Sequence, residues 1–207
     1  MAAAMQHNIV RVMLVDDVPQ RSARVAEKLA GEGFDVIARL PSAAGLLLQI
    51  EQQKPDVILI DLQSPGRDML ESLSVINIHN PTPVVMFSEE EDPSYIEEAV
   101  DAGVTAYMVG GVEAERVKPV IDVAMAQFKS FQALRQALDS TRTQLESLSV
   151  IDRAKSLLMR QHRVTEDKAH KLLRTLSMDS NQSLPQAAQS VIQILSQNKK
   201  NSGNHDN

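Results

Sequence analysis

Val57-Ile58-Leu59-Ile60-Asp61 decides the reading of this chain. Four consecutive branched aliphatic residues leave no polar face, so the segment suits a strand covered on both sides, as in a parallel sheet. Similar short runs recur around it: Ile9 to Val15, ending in Asp16-Asp17; Phe34 to Leu40; Pro83 to Phe87; and Thr105 to Val109. Amphipathic stretches separate them, predicting helices over 20–31, 42–53, 68–78 and 93–102, and a long helix from near Glu113. The pattern is five βα units over residues 9–128. Right-handed crossovers turn such a series into an α/β, doubly wound, five-stranded parallel sheet. In sheets of this kind, function gathers beyond the carboxyl ends of the strands.

Composition narrows the class further. The 207 residues include no cysteine, which excludes disulfides, thiolate zinc sites and a cysteine nucleophile. Met1 to Asn8 lacks the pattern of a secretory signal, and no apolar run has the ~20-residue length of a membrane span. A cytoplasmic chain without membrane contact is expected. The net charge of −6 hides an asymmetry. Residues 1–128 carry 9 Lys and Arg against 20 Asp and Glu, whereas residues 129–207 carry 12 against 7. An acidic part followed by a basic part predicts two domains with different partners.

The second half reads as helical. Phe131, Leu134, Leu138, Thr141, Leu145 and Leu148 step by three and four, a heptad seam. It predicts a linking helix over 117–150 that pairs as a coiled coil in a homodimer. Three helices follow, over 149–162, 166–178 and 184–196, with Thr165 and Ser183 at helix starts. Their apolar set predicts a small all-α three-helix bundle. It comprises Ala154, Leu157, Leu158, Ala169, Leu172, Leu173, Leu176, Met178, Leu184, Ala187, Ala188, Val191, Ile192 and Leu195. The polar tail, residues 197–207, is expected to be disordered.

Chemistry concentrates at two places. Asp16, Asp17 and Asp61 end the first and third strands, which are neighbours in such a sheet. Clustered carboxylates resist ionisation unless a cation joins them, and an all-oxygen set suits Mg²⁺. Asp61 is then placed as a carboxylate nucleophile for phosphoryl transfer. The segment 9–128 resembles a response-regulator receiver domain, on the strength of the acidic pair, the Val57–Asp61 run with Pro65 after it, Ser88 after the fourth strand and Tyr107 on the fifth. The resemblance implies that Asp61 accepts a phosphoryl group, that Asp16, Asp17 and Asp61 bind Mg²⁺, and that Ser88 and Tyr107 act as switch residues. One departure stands out. The family's lysine after the fifth strand is replaced by Gly110, followed by Gly111, and the next lysine is Lys118. That loss argues against switching by a histidine kinase.

The other place is basic. Arg153, Lys155, Arg160, Arg163, Lys168, Lys171 and Arg174 stand against only Glu166 and Asp167 within 153–174, an electrostatic footprint for nucleic acid. Ile151-Asp152-Arg153-Ala154-Lys155, Thr165-Glu166-Asp167-Lys168-Ala169 and Leu172-Leu173-Arg174 closely resemble the ANTAR domain, an RNA-binding antitermination module, over 142–196. From the charge pattern, RNA contacts are expected from Arg153, Lys155, Arg160, Arg163, Lys171 and Arg174. Ser64-Pro65-Gly66-Arg67-Asp68 and Ala106 to Gly111 further resemble the nitrate/nitrite-assimilation (NasT-type) antiterminators, which a ligand-sensing partner protein sequesters.

The expectation is a bacterial transcription antiterminator that binds stem-loops in leader mRNA and controls nitrate/nitrite assimilation genes. The alternative is a DNA-binding two-component response regulator whose second helix enters the major groove. An enzyme built on the three aspartates would need a general base and a substrate pocket, and neither is evident.

Overall fold

The fold was described from a computed structural model, covering residues 9–63 and 65–201. Met1 to Asn8, Ser64 and the end of the tail, 202–207, lie outside these residues. The elements are β1 (Val10–Asp16), α1 (Pro19–Gly31), β2 (Phe34–Leu40), α2 (Leu46–Gln53), β3 (Val57–Asp61), α3 (Arg67–His79), β4 (Val84–Ser88), α4 (Pro93–Asp101), β5 (Ala106–Val109), α5 (Ala114–His162), α6 (Glu166–Asp179) and α7 (Leu184–Asn201). The chain divides into two compact units between Gln132 and Ala133.

The first unit holds five parallel strands in the order β2-β1-β3-β4-β5. Its two faces are both apolar because successive strand residues point to opposite sides. Met13, Val15, Ile58, Ile60, Val84 and Met86 meet residues of α2, α3 and α4. Val12, Leu14, Val57, Leu59, Val85 and Phe87 meet α1 and α5. Each fully buried aliphatic side chain contributes roughly 1.5–3 kcal/mol, and it is this two-sided burial that makes the continuous Val/Ile/Leu runs necessary. Register completes the argument: Asp16 lies directly beside Asp61 at the carboxyl edge.

Two boundaries differ from expectation. The second helix starts at Leu46, not residue 42, because Gly45 adopts a left-handed conformation (φ 78°) and caps it there. The long helix does not stop at residue 150. Residues 114–162 form one helix of 49 residues. The segment from Val120 to His162 contains neither glycine nor proline, so nothing interrupts its hydrogen-bond ladder. The first helix of the predicted bundle is therefore the end of α5.

In the second unit, Ala154 and Leu158 of α5, Ala169 and Leu173 of α6, and Ala188, Val191 and Ile192 of α7 form one core. Leu172, Leu176 and Met178 were expected in it but are exposed, Met178 by 73%. A helix buries a stripe, and the α6 stripe runs through Ala169 and Leu173, leaving those three on its flanks. At the start of α7, Gln186 reaches back to accept from the Ser183 N–H at 2.9 Å, which is half of a capping box. Thr165 holds the N-cap position of α6 without a side-chain cap bond. The tail expected to be disordered from 197 continues as helix to Asn201.

Candidate functional site

The β1–β3 edge gathers the three predicted aspartates, and a fourth residue stands among them. Arg21, on the first turn of α1, donates from Nη2 to Asp16 Oδ1 at 2.9 Å, to Asp17 Oδ1 at 3.1 Å and to the Asp61 carbonyl at 3.0 Å. Its Nε lies 3.2 Å from both Asp16 oxygens and 2.6 Å from Asp61 Oδ2. Asp16 and Asp61 are buried, whereas the Asp17 side chain is 43% exposed. Asp61 Oδ2 is buried and has no aligned hydrogen bond, since the Nε–H axis is directed at Asp16.

Electrostatics follow from this geometry. Burial raises the Asp61 carboxyl to about 6; Arg21 opposes the rise, Asp16 adds to it, the Val112 backbone N–H opposes it and Asp17 adds to it. Burial works against the Arg21 charge, but the hydrogen bond to Asp16 and the fields of the three carboxylates more than offset it, so its pKa is raised. The guanidinium is the cation the clustered acids required. Sequence reasoning missed it, although its place four residues after Asp17, in a helix that begins at Pro19, was a usable signal.

A divalent metal does not fit this arrangement as it stands. The acids are all oxygen donors of the kind Mg²⁺ takes, but the Arg21 guanidinium already fills the space between them, 2.6–3.2 Å from an oxygen of each. Among the described residues no group of three or more metal-binding side chains is disposed to hold an ion.

The other receiver positions are brought near the same edge. The Ser88 hydroxyl, fully buried, donates to the Gln63 carbonyl at 3.3 Å and accepts from the Glu90 N–H at 3.1 Å. Tyr107 donates from its hydroxyl to the Glu90 carbonyl at 2.9 Å and meets Tyr95 edge-on at 6.4 Å. Both switch candidates are thus tied to one β4–α4 loop. In the acidic run 89–92, Asp92 caps α4 by accepting from the Ser94 N–H at 3.0 Å. Gly110 sits at φ 98°, a backbone conformation that a lysine rarely adopts. Lys118 does not take over the lysine's place. Its ammonium lies 5.2 Å over the Phe34 ring, at the opposite end of the strands, and pairs with Asp122 at 2.8 Å.

In the second unit, Arg153 and Arg160 at the end of α5 and Arg163 in the turn after it are exposed, as are Lys168, Lys171 and Arg174 on α6. Arg163 has φ 50° in the turn between the two helices, a left-handed position that costs a non-glycine residue roughly 1–2 kcal/mol. Lys155 differs from the rest. Its ammonium lies 2.7 Å from Asp152 and 2.7 Å from Glu166, and its side chain is only 16% exposed. The hydrogen bonds to these two carboxylates raise its pKa. It clasps the start of α6 to α5.

Residues 12–122 match the family model of the response regulator receiver domain, and residues 139–192 match that of the ANTAR domain. The chain is similar to the transcriptional regulatory protein PdtaR of Mycobacterium tuberculosis, with 28% identity over 185 residues, covering 89% of this chain and 90% of that protein. It is also similar to the chemotaxis protein CheY of Bacillus subtilis, with 26% identity over 113 residues, 54% of this chain and 94% of that one. Among solved structures, the signal receiver domain of the response regulator NarL from Mycobacterium tuberculosis is 27% identical with a TM-score of 0.50, covering 56% of this chain and 96% of that one. The signal receiver domain of a modulated diguanylate cyclase from Desulfovibrio desulfuricans shares the fold, with a TM-score of 0.52 at 20% identity, over 59% of this chain and 98% of that one.

Proposed function

Because the chain belongs to the response regulator receiver family and carries an ANTAR domain as its output, we propose that it is a transcription antiterminator that binds stem-loops in leader mRNA. The observation that carries this reading is the exposed basic array of Arg153, Arg160, Arg163, Lys168, Lys171 and Arg174 on the end of α5, its turn and α6. Cations spread over two helices and a turn suit a folded RNA's phosphates more than a single helix entering a major groove. No aromatic residue occurs after Phe131, so recognition rests on charge, shape and arginine planes, not on base stacking.

The seam on α5 supports a homodimer. Phe131, Leu134, Leu138, Leu145 and Leu148 are between 59% and 63% exposed at heptad spacing, and a second copy of the same helix covers such a stripe by knobs-into-holes packing. Two copies present two basic bundles to paired stem-loops. Nitrate/nitrite assimilation genes are the proposed target, and a ligand-sensing protein that sequesters the chain is the proposed controller. Gly110 in the lysine's place supports control by such a partner over control by a kinase.

The test is a gel shift with leader RNA carrying paired stem-loops, against duplex promoter DNA of equal length. The expected result is RNA binding that weakens steeply with salt, as released counterions require. Replacing Arg160 and Arg174 by alanine should abolish it. Lys155→Met should cost less, because its charge is already shared by two carboxylates. Equal affinity for duplex DNA, or unchanged RNA affinity in the double variant at low salt, refutes the assignment.

A further inference from the structure

The receiver's acids already hold a cation, and that cation belongs to the chain. We propose that Arg21 is the resident counter-ion of the Asp16/Asp17/Asp61 cluster, and that its guanidinium and a divalent metal ion are mutually exclusive occupants of that place. The inference concerns the receiver alone and stands or falls apart from the RNA-binding reading.

Three observations carry it. First, a single guanidinium contacts all three acids, with five nitrogen–oxygen approaches to the carboxylates of Asp16, Asp17 and Asp61 between 2.6 and 3.2 Å. The planar fork of arginine matches carboxylates in this way, which lysine's point charge does not. Second, Mg²⁺ demands near-octahedral oxygens at ~2.0–2.1 Å. Here those oxygens face N–H groups, and two cations cannot share the space that one guanidinium fills. Third, Asp61 Oδ2 keeps a buried lone pair that the guanidinium touches without an aligned bond. That atom is the incentive for a better-placed cation once Arg21 withdraws.

There is somewhere for Arg21 to go. A cavity of about 640 Å³ between α1 and the start of α5 is bordered by Arg21 itself, Val112, Glu113 and Glu115. Arg24 and Lys28 line the same cavity and Glu113 already pairs with Arg116 at 2.9 Å, so what it offers a departing guanidinium is open space beside Glu115. In the resting chain one guanidinium charge is therefore shared among the three acids without metal. Any phosphoryl chemistry at Asp61 first requires Arg21 to leave. Each tenfold preference for the arginine-in state weakens apparent metal affinity tenfold.

The test uses the full chain and tyrosine fluorescence. Both tyrosines, Tyr95 and Tyr107, lie in the receiver and there is no tryptophan, so the signal reports that unit. Unfolding is followed in EDTA and across a MgCl₂ titration for wild type, Arg21→Gln and Arg21→Lys. The expected result is a wild-type transition indifferent to millimolar Mg²⁺, with Arg21→Lys, which keeps the charge but not the fork, falling between wild type and Arg21→Gln. Arg21→Gln should be stabilised by Mg²⁺, with apparent affinity at least ~10-fold tighter than wild type. Equal stabilisation of wild type and Arg21→Gln, or no response in Arg21→Gln, overturns the proposal. Should the variants misfold, Mn²⁺ added to wild type and followed by electron paramagnetic resonance still decides. The signal of free Mn²⁺ is expected to persist, and its loss at micromolar metal overturns mutual exclusion.

Discussion

Asp61→Asn should stabilise the receiver at neutral pH. The usual buried aspartate is paired and gains stability from its charge; this one is pushed up to about 6 from its ordinary 3.8, chiefly by burial. The sign follows from linkage. Below pH 3.8 the carboxyl is protonated in both states and contributes nothing. Between 3.8 and about 6 the unfolded chain loses its proton first, so the folded state binds more protons and stability falls as pH rises. Above about 6 the cost is constant. At 1.36 kcal/mol per pH unit the shift corresponds to roughly 3 kcal/mol. The cluster is open to water on the Asp17 side, and screening reduces this to ~1–2 kcal/mol. An asparagine keeps the shape and removes the charge, so it recovers that amount at pH 7 and nothing at pH 3.5. With a urea slope of about 2 kcal/mol per molar, the midpoint moves up by about 0.5–1 M. The assay is urea unfolding by tyrosine fluorescence in EDTA from pH 3.5 to 7.5, comparing the two proteins so that other titrating groups cancel. An Asp61→Asn midpoint below wild type at pH 7, or a difference independent of pH, refutes the reasoning.

Leu173→Ala opens a cavity in the three-helix core and should cost ~2–5 kcal/mol in the second unit. The loss should appear in the far-ultraviolet circular dichroism melt while the tyrosine transition stays in place. Leu138→Lys puts a charge in the proposed seam and should shift the chain to monomer in sedimentation equilibrium, without loss of helix content. Gly110→Lys does not restore a phosphate-coupled switch. At φ 98° it should destabilise the receiver by ~1–3 kcal/mol, read as a lower urea midpoint.

The fold and the membership of the acid cluster were legible because they depend on local pattern. Apolar runs of strand length can only be buried on two sides, and the topology then brings the ends of β1 and β3 together. The sequence therefore determined the five parallel strands, the meeting of Asp16 with Asp61, the helical basic unit and the heptad stripe on α5. The state of each charge was not legible. Arg21 lies 40 residues from Asp61 in the chain and only 2.6 Å away in space, which register decides and composition cannot. Lys118, the next lysine in the chain after the missing one, rests on Phe34 at the opposite end of the sheet. Lys155 read as a free basic residue, and Glu166, 11 residues later, takes its charge across the α5–α6 turn. Backbone pattern is set by short-range sequence, whereas the pairing of charges is set by which side chains the finished fold brings within a few ångströms. Only the tertiary structure could decide that the acidic edge of this receiver already holds a cation of its own.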